Sequence, residues 1–205
     1  MSVALDRFQN LLLWHSQETD PAIRQLLEAD LWREFGADRA VLVFDMAGFS
    51  EMTLRYGVVH YLSMVLRMQT TAEPVIRRYN GALVKFEGDN CYAIFPAVTG
   101  AIHAALELNT AFKHANELTP DELDIRIACG IDFGPILVVP GQNFYGNAIN
   151  RALKLGEELA GPDEILVTLE AMATIPEGTD IGFTMTMFES FGSRIDAGLV
   201  IQPAT

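Results

Sequence analysis

The chain has 205 residues, half of them hydrophobic, which suits one domain with a real core plus a small extension. Its formal net charge of −13 argues against a nucleic-acid groove, which needs a basic footprint, and disfavours docking on anionic lipid. Cys91 and Cys129 both sit in apolar runs, so they read as buried reduced thiols and not as a disulfide scaffold or metal site. The four histidines, His15, His60, His103 and His114, show no ligand spacing. The N-terminus carries no basic n-region before Leu11-Leu12-Leu13-Trp14, and the longest uncharged run, Asn90 to Leu106, is interrupted by Pro96 and Gly100. A soluble cytoplasmic protein without a membrane span is the expectation.

Residues 1–37 read as a helical extension preceding a main domain at 38–205. Asp20-Pro21 is a helix start, with Asp as N-cap and Pro at the first helical position. Ile23, Leu26, Leu27 and Leu31 then form one apolar stripe, and Gly36 suits the stop. The plain reading is a helix covering the core; a dimer-forming or signal-relaying helix is the alternative.

Ala40 to Asp45 is a continuous apolar run, hence a central strand buried on both faces. Apolar residues at 58, 62, 65, 66 and 76 predict a long helix from Val58 to Arg78, bent or broken by Pro74. Asn80-Gly81 is a turn signal. Leu83–Glu87 and Cys91–Phe95 form a hairpin with Asp89 at its tip. A helix from Ala97 to about Leu118 carries Ala101, Ala105, Leu108 and Phe112 on one side. Asp124–Ile131 alternates charged and apolar residues, predicting a strand with one solvated or interface face, with Gly134–Val139 as its hairpin partner. Pro140-Gly141-Gln142 is a loop, Ile149–Ala160 a helix ended by Gly161-Pro162, and Ile165–Thr168 a short strand. Phe183 to Ile201 reads as two strands around Gly192-Ser193. This order predicts an α+β fold: a ferredoxin-like (βαββαβ) sheet with helices packed on one face.

Two segments carry the chemistry. Val43-Phe44-Asp45-Met46-Ala47-Gly48-Phe49-Ser50 and Lys85-Phe86-Glu87-Gly88-Asp89 each deliver an aspartate at a strand end beside a glycine. Backbone N–H groups in such a turn can face a phosphate, and a carboxylate there can hold its metal. Singly, each is an ordinary strand ending in a turn aspartate. A third segment follows, Asn143-x-x-Gly146-Asn147-x-x-Asn150, with Lys154 one turn beyond.

In that order, these segments resemble the motifs of class III nucleotidyl cyclases, over about residues 38–170. The resemblance implies that Asp45 and Asp89, with the Met46 carbonyl, hold two Mg²⁺ or Mn²⁺ ions for in-line displacement at phosphorus. It implies that the turn Ala47, Gly48, Phe49 and Ser50 meets the β- and γ-phosphates, that Asn150 orients the ribose, and that Lys154 stabilises charge on the α-phosphate. Lys85 and Asn143 match the base-reading positions; lysine points to adenine over guanine, while Asn143 is also compatible with a pyrimidine carbonyl. The sequence departs from the family at Lys154, where arginine is usual, and at Pro135, where several members carry a triphosphate-binding arginine; Arg194 is a candidate for the basic residue others use near the C-terminus. In the family the site lies between two domains, and this chain carries both residue sets, so a head-to-tail homodimer would be complete. The implied activity is conversion of a nucleoside triphosphate, ATP favoured, to its 3′,5′-cyclic monophosphate and pyrophosphate. The alternatives are a pyrimidine (UTP or CTP) cyclase and a degenerate nucleotide-binding domain without turnover. A diguanylate cyclase is disfavoured, because no Gly-Gly-(Asp/Glu)-Glu-Phe run is present.

Overall fold

The computed structural model describes residues 3–139, 143–190 and 193–202. Two helices open it, α1 (Val3–Gln17) and α2 (Pro21–Phe35). The Asp20 side chain caps α2 by accepting from Ala22 N–H at 2.8 Å, as the Asp-Pro pair predicts. The α2 stripe turns out otherwise: Leu31 is buried and Leu27 partly so, but Ile23 and Leu26 are exposed. Two short helices can bury only the strip where they meet, here Phe8, Leu11, Leu31 and Phe35.

The strands β1 (Gly36–Met46), β2 (Ala82–Glu87), β3 (Asn90–Phe95) and β4 (Ile127–Val139) lie in the order β2-β3-β1-β4, all antiparallel. With α4 (Val58–Arg78) between β1 and β2 and α5 (Val98–Asn116) between β3 and β4, this is the ferredoxin-like connectivity. The sheet continues through β6 (Ile165–Thr168), parallel to β4, then β8 (Ser193–Val200) and β7 (Phe183–Ser190). A three-residue β5 (Asn143–Tyr145) folds back on the end of β4.

Alternation along β1 explains why the layers stack as they do. Ala40, Leu42 and Phe44 face the core beneath α4 and α5, with Met68, Ile76, Leu108 and Phe112. Val41 and Val43 face the other way, where Ala148 and Ala152 of α6 (Asn147–Leu153) cover them. The two long helices thus share one face, and α6 adds partial cover on the second.

Two local expectations change. The segment after Ile131 is not a hairpin partner; β4 runs unbroken for 13 residues, because β1 pairs with it from Gly36↔Leu137 to Met46↔Ile127. The turn comes later, between β4 and β5, where Pro140-Gly141-Gln142 lies outside the described residues. Nor does Pro74 break α4, which continues to Arg78. An interior proline costs about 3 kcal/mol, but Met64, Met68, Ala72, Val75 and Ile76 are buried along that helix, at about 1.5–3 kcal/mol for each large side chain. Val58, Leu62 and Leu66 of the expected stripe remain exposed.

Candidate active site

Asp45 is the next-to-last residue of β1, and by alternation from Val41 and Val43 it lies on the α6 face. Asp89 lies in the β2–β3 turn, whose Gly88 takes φ +63. Asp89 reaches Asp45 closely enough to dominate its charge environment. Burial first, then the Asp89 charge, a carboxyl–carboxyl hydrogen bond with Asp89 and the charge of Glu157 push the Asp45 carboxyl up to about 7; the Met46 backbone N–H opposes this weakly. Two buried oxygens at this end of the sheet, Asp45 Oδ1 and Asn90 Oδ1, have no hydrogen-bond partner. Acceptor oxygens buried without donors beside two like-charged carboxylates are a donor set that fits a divalent cation. Among the described residues no three His, Cys, Asp or Glu side chains gather into a ligand cluster, so backbone carbonyl, solvent and substrate oxygens would complete the shell. Magnesium tolerates this, since it usually keeps several waters.

The turn after β1 is built for a sharp exit. Gly48 takes φ +75 as the N-cap of α3 (Phe49–Tyr56), and Phe49 anchors the helix by packing on Tyr61 with ring centroids 4.7 Å apart. Ser50 is the second residue of that helix. Ala47 differs from expectation: its N–H donates to the Arg126 carbonyl at 2.9 Å, extending the β1–β4 ladder, and so does not face the turn. Met46 pairs with Ile127, and its side chain is buried.

Lys85 and Asn143 come from β2 and β5, strands that touch at one end of the sheet. Lys85 Nζ sits 4.7 Å from the centre of the Tyr92 ring and bonds Glu87 Oε2 at 2.6 Å. Tyr92 in turn packs edge-on against Phe144, the neighbour of Asn143. The Asn143 carboxamide oxygen accepts from Phe144 N–H at 2.9 Å, so the amide's remaining hydrogen-bonding group is its NH₂ donor.

Asn150 and Lys154 stand one turn apart, Asn150 exposed in α6 and Lys154 half-buried where the helix passes into a π-helical segment, residues 154–159. A single π-turn inside a helix is often functional. Here it coincides with close backbone packing. A Cβ on Gly156 would lie 2.9 Å from both Gly130 N and Val43 O, and one on Gly130 only 2.0 Å from Ala152 O. The glycine pair lets the helix rest directly on the sheet. Lys154 lines a cavity of about 280 Å³ together with Arg151, Thr168, Glu170, Arg194 and Asp196. Neither Asp45 nor Asp89 lines it.

Sequence reasoning missed three participants. Glu157, carried by the π-helical segment, adds negative charge to Asp45 and Tyr92. Asp132, just past the strand expected at 124–131, is fully buried within β4 and holds Arg151 and Thr168. Asn90 contributes one of the orphaned oxygens. Only Asn90 had a signal, its position next to Asp89.

No family model matches the chain. A Rhizobium meliloti (strain 1021) protein named "Putative adenylate cyclase 3" is 26% identical over 144 residues, which is 70% of this chain and 24% of that protein. The chain thus spans about a quarter of that relative's length. Among solved structures, the adenylate/guanylate cyclase/hydrolase of Silicibacter pomeroyi is 26% identical with a TM-score of 0.64, covering 82% of this chain and 99% of that one. In sequence and fold the chain is similar to class III nucleotidyl cyclases. The adenylyl cyclase CyaB of P. aeruginosa shares the class III fold at 16% identity, with a TM-score of 0.67 over 82% of this chain and 97% of its own. No helix among the described residues is long and apolar enough to cross a membrane.

Proposed function

We propose that the chain is a nucleotidyl cyclase, converting a nucleoside triphosphate, ATP favoured, to the 3′,5′-cyclic monophosphate and pyrophosphate. The observation that carries the reading is the Asp45–Asp89 pair, a strand-end carboxylate beside a turn carboxylate, with the buried oxygens Asp45 Oδ1 and Asn90 Oδ1 lacking hydrogen-bond partners. Asp45, Asp89 and the Met46 carbonyl hold two Mg²⁺ or Mn²⁺ ions, which when bound supply charge neutralisation and activation of the ribose 3′-hydroxyl. The turn through Gly48, Phe49 and Ser50 positions the triphosphate at the start of α3. Asn150 orients the ribose, and Lys154 meets the negative charge that develops at the α-phosphorus. Lys85 and Asn143 read the base.

The separation of the two residue sets supports a shared site. Lys154 faces a cavity that the metal-binding carboxylates do not line, so a head-to-tail second copy brings its Asn150 and Lys154 to Asp45 and Asp89 of the first.

One observation favours a second reading, a pyrimidine triphosphate as substrate. With the Asn143 oxygen engaged by Phe144 N–H, both base-reading positions present donors, Lys85 Nζ and the Asn143 NH₂. A base edge with two acceptors suits them better than adenine, whose amino group is itself a donor. Incubation with each of the four NTPs and Mn²⁺, with product identification by mass spectrometry, separates these readings. Absence of any cyclic product from a folded sample would refute the cyclase assignment.

A further inference from the structure

A carboxylate in the middle of a sheet is costly unless it is paired and hydrogen-bonded. Asp132 of β4 is fully buried and is both. It accepts from the Thr168 hydroxyl at one oxygen and from Arg151 Nε at the other, the latter at 2.5 Å. Thr168 is itself fixed, because its hydroxyl oxygen caps α7 (Leu169–Met172) by accepting from Ala171 N–H at 3.2 Å. Arg151 differs from its partners in being 43% exposed, and it lines the cavity beside Lys154. One edge of its guanidinium is thus held from behind by a carboxylate sealed from the cavity, and the rest is presented to solvent.

The cavity's charges are three cations and two acids at its wall, with Asp132 behind them. Arg194 is bonded to Asp196 at 2.8 Å, and Glu170 completes the acidic side. The Arg194–Asp196 pair lies between neighbours on an exposed strand, where such a pair is worth little and is readily exchanged for another anion. Arg151 and Lys154 are one turn apart in helical order, and a fork beside a point charge suits two linked phosphates better than one.

We propose that this cavity is a subsite for linked phosphoryl groups, with Arg151 as its principal donor, Lys154 as its second cation, and Asp132 and Thr168 as positioning residues. The inference rests on the nucleotidyl cyclase reading, within which it assigns the pyrophosphate end of the nucleotide to Arg151. It also supplies a fork-bearing cation that the chain lacks at Pro135.

The test is calorimetric titration of inorganic pyrophosphate into the full chain without divalent metal. The comparison variant is Arg151→Met/Asp132→Asn, which removes both charges together and leaves no unpaired carboxylate in the sheet. Wild type binds, and the double variant, melting like wild type, loses roughly 10- to 100-fold in affinity, the range for a charge-assisted hydrogen bond or two. If the double variant does not fold, Arg151→Lys decides by the same titration; it keeps the charge, loses the fork, and is expected to bind several-fold more weakly than wild type. Asp132→Asn alone leaves the guanidinium present but loosely held, and in turnover it raises KM for the triphosphate more than it lowers kcat. Pyrophosphate affinity unchanged in the double variant, or no binding by wild type at millimolar concentration, overturns the subsite. Arg151-dependent pyrophosphate binding without cyclic product from any NTP upholds the subsite and removes the cyclase reading. Normal kcat and KM in the double variant do the reverse.

Discussion

Replacing Asp45 by asparagine should stabilise the protein while abolishing its activity, and the gain should depend on pH in a direction fixed by the geometry. Folding carries this carboxyl from an ordinary value of 3.8 to about 7, chiefly through burial and then through Asp89. The folded state therefore holds the proton more tightly than the unfolded chain, so stability falls as pH rises through the interval from about 4 to 7. Above 7 the full penalty is present; at pH 5 only about a third of it is. The ceiling is about 4 kcal/mol, but Asp45 is partly exposed, and solvent screening reduces the expectation to about 1–2 kcal/mol. For a chain of this size that is roughly 2–8 °C in Tm. The assay is thermal unfolding of wild type and Asp45→Asn in EDTA at pH 5 and pH 8.5, with the gain much larger at pH 8.5. Adding Mn²⁺ at pH 8.5 should raise the wild-type Tm and leave the variant's nearly unchanged, since a ligand stabilises only the form that binds it. A gain equal at both pH values, or no gain at pH 8.5, would refute the reasoning about this carboxylate pair.

Other outcomes follow from the same geometry. Lys154→Ala should lower kcat by ~10²-fold or more, the scale for losing a charge contact made in the transition state, while Lys154→Arg should preserve or raise the rate; steady-state kinetics checks both. Gly156→Ala places a methyl group 2.9 Å from backbone atoms of two strands, and chemical denaturation should show a loss of about 3 kcal/mol or more, since neither strand can retreat. Asp89→Ala should abolish turnover without loss of fold, because the residue sits in an exposed-side turn and not in the core; circular dichroism and a product assay decide it.

The sheet's centre was legible because its residues leave no other choice. A continuous run such as Ala40 to Phe44 can be satisfied only by burial on both faces, and the glycine–aspartate turns mark its edges. Less legible was anything decided by a distant partner. Whether β4 turned at Gly134 depended on the reach of β1, which pairs past it to Leu137. Val58, Leu62 and Leu66 looked like a core stripe, but α4 is oriented by Met64, Met68 and Ala72, and periodicity alone does not choose between two apolar faces. At the proposed site, Asp45, Asp89, Asn150 and Lys154 are candidates that motif order alone singles out. Asp132 escaped notice because it falls between the strand expected at 124–131 and the partner expected from Gly134, and only Arg151 and Thr168, far along the chain, make its burial tolerable. The π-turn was invisible too, as was the close backbone approach of Gly130 and Gly156 beside it, which links residues distant in the chain.

The most direct test of the account is complementation between two inactive variants. Asp45→Ala removes the metal half of both sites in its own homodimer, and Asn150→Ala removes the ribose-orienting half. Neither should turn over alone. In a mixed dimer one site inherits both lesions and the other none, so at equal mixing with free exchange about a quarter of wild-type activity returns. Subunit exchange is verified beforehand with differently tagged chains. Recovery near that level, read as cyclic nucleotide formed per chain, is the predicted result; exchanged mixtures as inactive as the separate variants would contradict a cyclase site shared between two copies.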